Sequence, residues 1–158
     1  MKKTMDCTFD VSLSTERFDH KPTDSEVRKL RFKKTTTDVS GLLEAIMNGY
    51  CYTSVFSTDT FGMSGKNNRD FRYTNIISID VDHSSETMDD MVERLNYKPT
   101  FAYTSCSNGM DGENRFRLVY CFEEKIEDVG EYKELVSAIF DANGLDINEK
   151  VGFHEEKW

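Results

Sequence analysis

Apolar and polar positions alternate most clearly in Ile76-Ile77-Ser78-Ile79-Asp80-Val81-Asp82, which predicts a strand over about 75–82. Ile77, Ile79 and Val81 share one face, and Ser78, Asp80 and Asp82 share the other. The period then changes: Met88, Met91, Val92 and Leu95 recur at helical spacing and predict a helix over about 85–95, with Ser84 and Ser85 as cap candidates. Lys98-Pro99 ends that pattern. A second strand is expected over Thr100–Ser105, a polar loop over Cys106–Asn114, and a third strand over Arg115–Phe122. Tyr132, Leu135, Val136, Ile139 and Phe140 mark one face of a helix over about 129–142, ended by Gly144, with a last short strand beginning near Leu145.

Upstream the pattern is looser. Residues 5–14 suggest a strand. Asp38 is placed to cap a helix running through Met47, stopped by Gly49, and Tyr50–Ser57 is β-prone. Arg28, Lys29, Arg31, Lys33 and Lys34 fall within Asp19–Thr36, which reads as a solvated helix face or linker. Thr58–Arg72 reads as a loop. The sum is an α+β chain, a single domain over 1–158. Its core over 75–158 has the β-α-β-β-α-β order of an RRM-like (ferredoxin-like) fold, and 1–74 form an N-terminal α/β extension. Helices are expected to cover one face of the core sheet and leave the other open.

Composition narrows the class. At 158 residues the chain is long enough for a real core. No stretch approaches the length of a membrane span, and Met1-Lys2-Lys3 leads into polar residues, so a cytoplasmic protein with no membrane partner is expected. Cys7, Cys51, Cys106 and Cys121 are scattered, which argues against zinc and for reduced thiols. The formal charge of −9 argues against a domain that grips duplex DNA by bulk electrostatics, though not against a local basic site.

The chemistry concentrates in the core. Asp80 and Asp82 lie about 7 Å apart on one strand face, a spacing at which hard carboxylate oxygens hold divalent cations. On the third strand Arg115 and Arg117 share a face, opposite Phe116, Leu118, Tyr120 and Phe122. Two guanidinium forks side by side suit a triphosphate, or else pair with Asp80 or Asp82 across the sheet. Ser105, Ser107 and Asn108 enter a glycine-bearing loop and offer donors to phosphate oxygens. Asp146 follows the last helix as a candidate third carboxylate, with Asp141 and Glu149 as rivals. His83 reads as an exposed turn residue next to the acids. Phe101 and Tyr103 would stack a base or sugar if they face the open side. Gly62-Met63-Ser64-Gly65-Lys66-Asn67 is not a P-loop: Thr60 stands at the first glycine position and Asn67 at the Ser/Thr position.

Ile79-Asp80-Val81-Asp82, Thr104-Ser105-Cys106-Ser107 and Arg115-Phe116-Arg117-Leu118-Val119-Tyr120, in that order, resemble the catalytic domain of archaeo-eukaryotic-type primases and primase-polymerases, most closely those of phages, plasmids and other mobile elements. The resemblance covers about 75–148. It implies a nucleotidyltransferase that starts or extends primers from nucleoside triphosphates on a single-stranded DNA template, working beside a helicase or another replication domain. It further implies Mg²⁺ or Mn²⁺ on Asp80, Asp82 and Asp146, and phosphate contacts from Ser105, Ser107, Asn108, Arg115 and Arg117. Where the family carries a histidine in its second motif, this chain has Ser107-Asn108, and it stops soon after the third motif, as a piece of a larger replication protein would. The alternative is a catalytically inactive RRM-like module that binds nucleic acid or a replication partner. A rolling-circle nuclease would need a His-x-His pair that the chain lacks.

Overall fold

A computed structural model describes residues 8–66 and 68–145, and the backbone of 153–155. It is a mixed α+β chain with antiparallel sheets. The chain divides into two compact units, one of residues up to Ile76 together with Phe122–Glu127, the other of Ile77–Cys121 and residues from Asp128 onward.

In the first unit, β1 (Phe9–Arg17) is followed by a short helix α1 (Asp24–Lys29), β2 (Phe32–Thr37), α2 (Val39–Met47), β3 (Tyr50–Thr53), β4 (Val55–Phe56) and β5 (Met63–Ser64). Four of these strands form a sheet in the order β3-β1-β2-β5. Asp38 caps α2 by accepting from the Gly41 amide at 2.8 Å, as its position suggests. Gly49 reverses the chain at φ 89°, where a Cβ would fall 2.0 Å from the Phe18 carbonyl oxygen. The basic segment is not a linker. Thr23 and Glu26 form a capping box on α1, and Phe32–Thr37 pairs with β1 over six residues. Leu30 and Phe32 are buried and hold the segment down, while Lys33 and Lys34 stay exposed. Consecutive lysines hide the period-two signal, whereas Thr35, Thr36 and Thr37 favour an extended backbone. Met63–Ser64, expected in a loop, adds to the outer edge of β2.

β6 (Phe71–Ser84) begins several residues earlier than the hydrophobic run suggests, because its first residues pair with β4. After β6 come α3 (Met88–Arg94), β7 (Phe101–Thr104), β8 (Asn114–Ile126), α4 (Val129–Ala142) and β9 (Phe153–Glu155). β8 lies between β6 and β7, and β9 pairs antiparallel with residues 79–81 of β6. Thr87, not Ser84 or Ser85, caps α3; the Ser84 hydroxyl accepts from the Glu86 amide instead.

The core of the second unit follows from the alternation. Ile77, Ile79 and Val81 of β6 and Phe116, Leu118 and Tyr120 of β8 are all at most 2% exposed. α4 buries Tyr132, Val136, Ile139 and Phe140, each worth about 1.5–3 kcal/mol of apolar transfer. Asn143 fastens the end of α4: its side chain accepts from the Tyr97 amide at 2.7 Å and donates to the Tyr97 carbonyl at 3.0 Å. The opposite sheet face is not open throughout. Ser78, Val119 and Cys121 on that face are buried, and burial pushes the Cys121 thiol up to about 12. Among the described residues this face is part-exposed at Asp80 and Asp82 of β6, at Arg115 and Arg117 of β8, and at Phe101 and Tyr103 of β7.

Candidate nucleotide and metal site

Asp80 and Asp82 project from one face of β6 because they sit two residues apart on an extended backbone. Arg115 and Arg117 project from β8, its neighbour in the sheet. Arg117 Nε donates to Asp80 Oδ1, which places the two faces together. The Arg117 and Asp80 side chains are 26% and 31% exposed, so the pair contributes about 1 kcal/mol or less to stability. Arg117 Nη1 also donates to the Tyr103 hydroxyl at 3.1 Å, and its guanidinium carbon lies 5.9 Å from the Tyr103 ring centre. Asp82 has no hydrogen-bond or ion-pair partner among the described residues.

Arg115 has different surroundings. Its side chain is only 13% exposed. It donates to the Ser107 carbonyl at 3.1 Å and to Glu113 at 3.3 Å, with the Asp111 carboxylate at 3.8 Å. Glu113 also faces the His83 ring. The loop that carries these acids is held to β8 by one backbone and one side-chain bond: the Ser105 amide donates to the Arg115 carbonyl at 2.9 Å, and the Arg115 amide donates to Asn108 Oδ1 at 2.9 Å. His83 and Asp111 are the non-glycine residues with positive φ among the described residues, at 56° and 58°, and both belong to this cluster. Left-handed backbone outside glycine concentrates where a structure holds a special geometry.

The site therefore brings together Asp80, Asp82, Arg117 and Tyr103, and beside them Arg115, Ser105, Ser107, Asn108 and His83. Ser107 is buried and engages Arg115 through its carbonyl, and Asn108 serves as a staple of the turn. Asp146 lies outside the described residues. Glu113 and Asp111, the acids that surround Arg115, are absent from the sequence-based site. Their one sequence signal is an acid on either side of Gly112, immediately before Asn114-Arg115-Phe116-Arg117.

The donor set can be tested against a divalent cation. The described residues contain no cluster of three or more His, Cys, Asp or Glu side chains able to hold a metal. Two part-exposed carboxylates remain, with Asp82 unengaged and Asp80 holding Arg117 through one oxygen. That set fits Mg²⁺ or Mn²⁺, since such ions commonly take one or two protein carboxylates and complete their shell with water and substrate phosphate. No helix among the described residues is long and apolar enough to cross a membrane. No protein-family model matches the chain, and searches of curated proteins and of solved structures find no match either.

Proposed function

We propose that the second unit is the nucleotidyltransferase domain of a replication protein, of archaeo-eukaryotic primase type, that makes or extends primers on single-stranded DNA. The observation that carries the reading is the convergence of Asp80 and Asp82 on β6 with Arg115 and Arg117 on β8, on one part-exposed sheet face. The element order β6-α3-β7-β8-α4-β9, with sheet order β9-β6-β8-β7, supports reading the core as RRM-like.

Asp80 and Asp82 would hold Mg²⁺ or Mn²⁺; such a cation, when bound, supplies Lewis-acid stabilisation of the phosphoryl centre. Arg117 neutralises phosphate charge as it leaves Asp80 for the ligand, an exchange favoured because charge-assisted contacts to phosphate are strong. With Arg117 on the phosphates, both Asp80 oxygens would be available to the cation. Arg115 keeps the Ser105–Glu113 loop against β8, and the part-exposed Ser105 at its start would offer a hydroxyl to the phosphates. The triphosphate is the substrate, the template is single-stranded DNA, and a helicase or other replication domain is the partner.

A second reading has its own support. Arg117 is already neutralised by Asp80 and Arg115 by Glu113, and the second-motif histidine is missing, which suits a non-catalytic module that binds nucleotide or nucleic acid. Incubating the full chain with a primed single-stranded template, labelled nucleotides and Mn²⁺ separates the two. The enzyme reading expects incorporation that is lost in Asp80→Asn/Asp82→Asn. Binding of triphosphate without incorporation favours the module. If the chain shows no binding and no incorporation, the proposal falls.

A further inference from the structure

The aromatic residues of β7 point the wrong way for a core strand. β7 lies at the end of the sheet order, paired with β8 so that Phe101 faces Val119, Ala102 faces Leu118 and Tyr103 faces Arg117. Residues opposite each other across antiparallel strands share a face. Ala102, itself part-exposed on this end strand, shares the face of Leu118, while the two large rings share the face of Arg117. Phe101 and Tyr103 are part-exposed, whereas Phe116 and Tyr120 on the packed face are at most 2% exposed. The two rings lie nearly parallel, with centroids 6.3 Å apart and planes at 26°. The Arg117 guanidinium carbon lies over the Tyr103 ring, 5.9 Å from its centre, and leaves Phe101 as the ring of the pair without a cation on its face among the described contacts.

We infer that Phe101 and Tyr103 form a stacking surface for the base of the nucleotide whose phosphates reach Arg117. The inference rests on the reading of the site as a triphosphate site and adds what lies at the other end of the ligand. A nucleotide carries a flat π-face one sugar away from its phosphate charge, and this face of β7 and β8 offers rings and a guanidinium at neighbouring positions. Stacking accepts any base, so the surface gives affinity without sequence preference. The Tyr103 hydroxyl, by accepting from Arg117 Nη1, keeps the fork beside the rings.

Calorimetric titration of the full chain with two probes, adenosine triphosphate and inorganic tripolyphosphate, each with Mn²⁺, tests this. Phe101→Ala removes a ring and touches no hydrogen bond of Arg117; it is expected to weaken adenosine triphosphate about tenfold and leave tripolyphosphate unchanged. Tyr103→Phe keeps the stacking surface and is expected to retain most of the nucleotide's advantage over tripolyphosphate. Unchanged adenosine triphosphate affinity in Phe101→Ala overturns the inference and leaves the triphosphate site standing. Equal loss for the two probes makes the ring a structural residue and also overturns it. Failure of the wild-type chain to bind either probe removes the site reading and the inference with it.

Discussion

Asp10 and Asp80 are part-buried carboxylates on strands, each within reach of a cation, and their surroundings are opposite in kind. Asp10, on β1, accepts from the Thr36 hydroxyl and from the Tyr73 hydroxyl, each at 2.6 Å, and has Lys125 at 3.9 Å. Lys125 in turn lies 4.2 Å from the Tyr73 ring centre. Burial alone would raise the Asp10 carboxyl, but the Thr36 and Tyr73 bonds and the charges of Lys34 and Lys125 together hold it below the usual carboxylate range. Tyr73 is pushed up to about 12, first by burial and then by its bond to Asp10. Here the oxygens are engaged by two hydroxyls and a lysine, which tie Asp10 to residues 36, 73 and 125 of the first unit. Asp80 meets one arginine, and Asp82 beside it meets no partner among the described residues. The first acid is tied into the scaffold on several sides; the second pair is the one the proposed function gives to a ligand.

The largest expected effects break this comparison at its two ends. Asp10→Ala takes the partner from the part-buried Tyr73 hydroxyl, while water can satisfy the exposed Thr36 hydroxyl, and should lower unfolding stability by about 1.5–3 kcal/mol, one hydrogen bond to a charged group. At this size that is a fall in Tm of roughly 3–12 °C, readable by calorimetry. Nucleotide affinity should not move. Arg117→Ala should do the reverse, with about 1 kcal/mol or less in stability and a roughly ten- to hundredfold loss of triphosphate affinity. An Arg117→Ala variant that melts much earlier yet binds triphosphate like the wild type would make Arg117 a structural residue.

A smaller effect sharpens the comparison. The folded-state pKa of Asp10 is depressed, so its contribution to stability is fully present above the unfolded carboxylate value near 4 and is lost as pH falls through the folded value. Denaturant melts between pH 7 and pH 2 should show a steeper acid loss in the wild type than in Asp10→Asn. Parallel curves would mean that the Thr36 and Tyr73 hydroxyls do not favour the ionised form.

What the sequence disclosed follows from how local each signal is. The helical spacing of Tyr132, Val136, Ile139 and Phe140 and the cap at Asp38 are local, and α4 and α2 lie where those signals put them. The alternation that sets Asp80 and Asp82 on one face is equally local. β2 was hidden because its solvent-facing lysines interrupt the pattern, and only pairing with β1 makes it a strand. β6 and β8 outrun their apolar runs for the same reason: Glu123, Glu124 and Lys125 are exposed residues of a strand whose neighbours lie far away in sequence. The acids around Arg115 were not legible because their placement depends on left-handed backbone at Asp111 and His83, which no hydrophobic period records. The Asp10–Tyr73 bond spans 63 positions and leaves no local trace.

Whether Asp80 and Asp82 form a cation site is decided by isothermal titration of Mn²⁺ into the wild-type chain and into Asp80→Asn/Asp82→Asn. Binding by the wild type should be abolished in the double variant, whose melting curve should stay close to that of the parent. Equal Mn²⁺ affinity in the two proteins would contradict it.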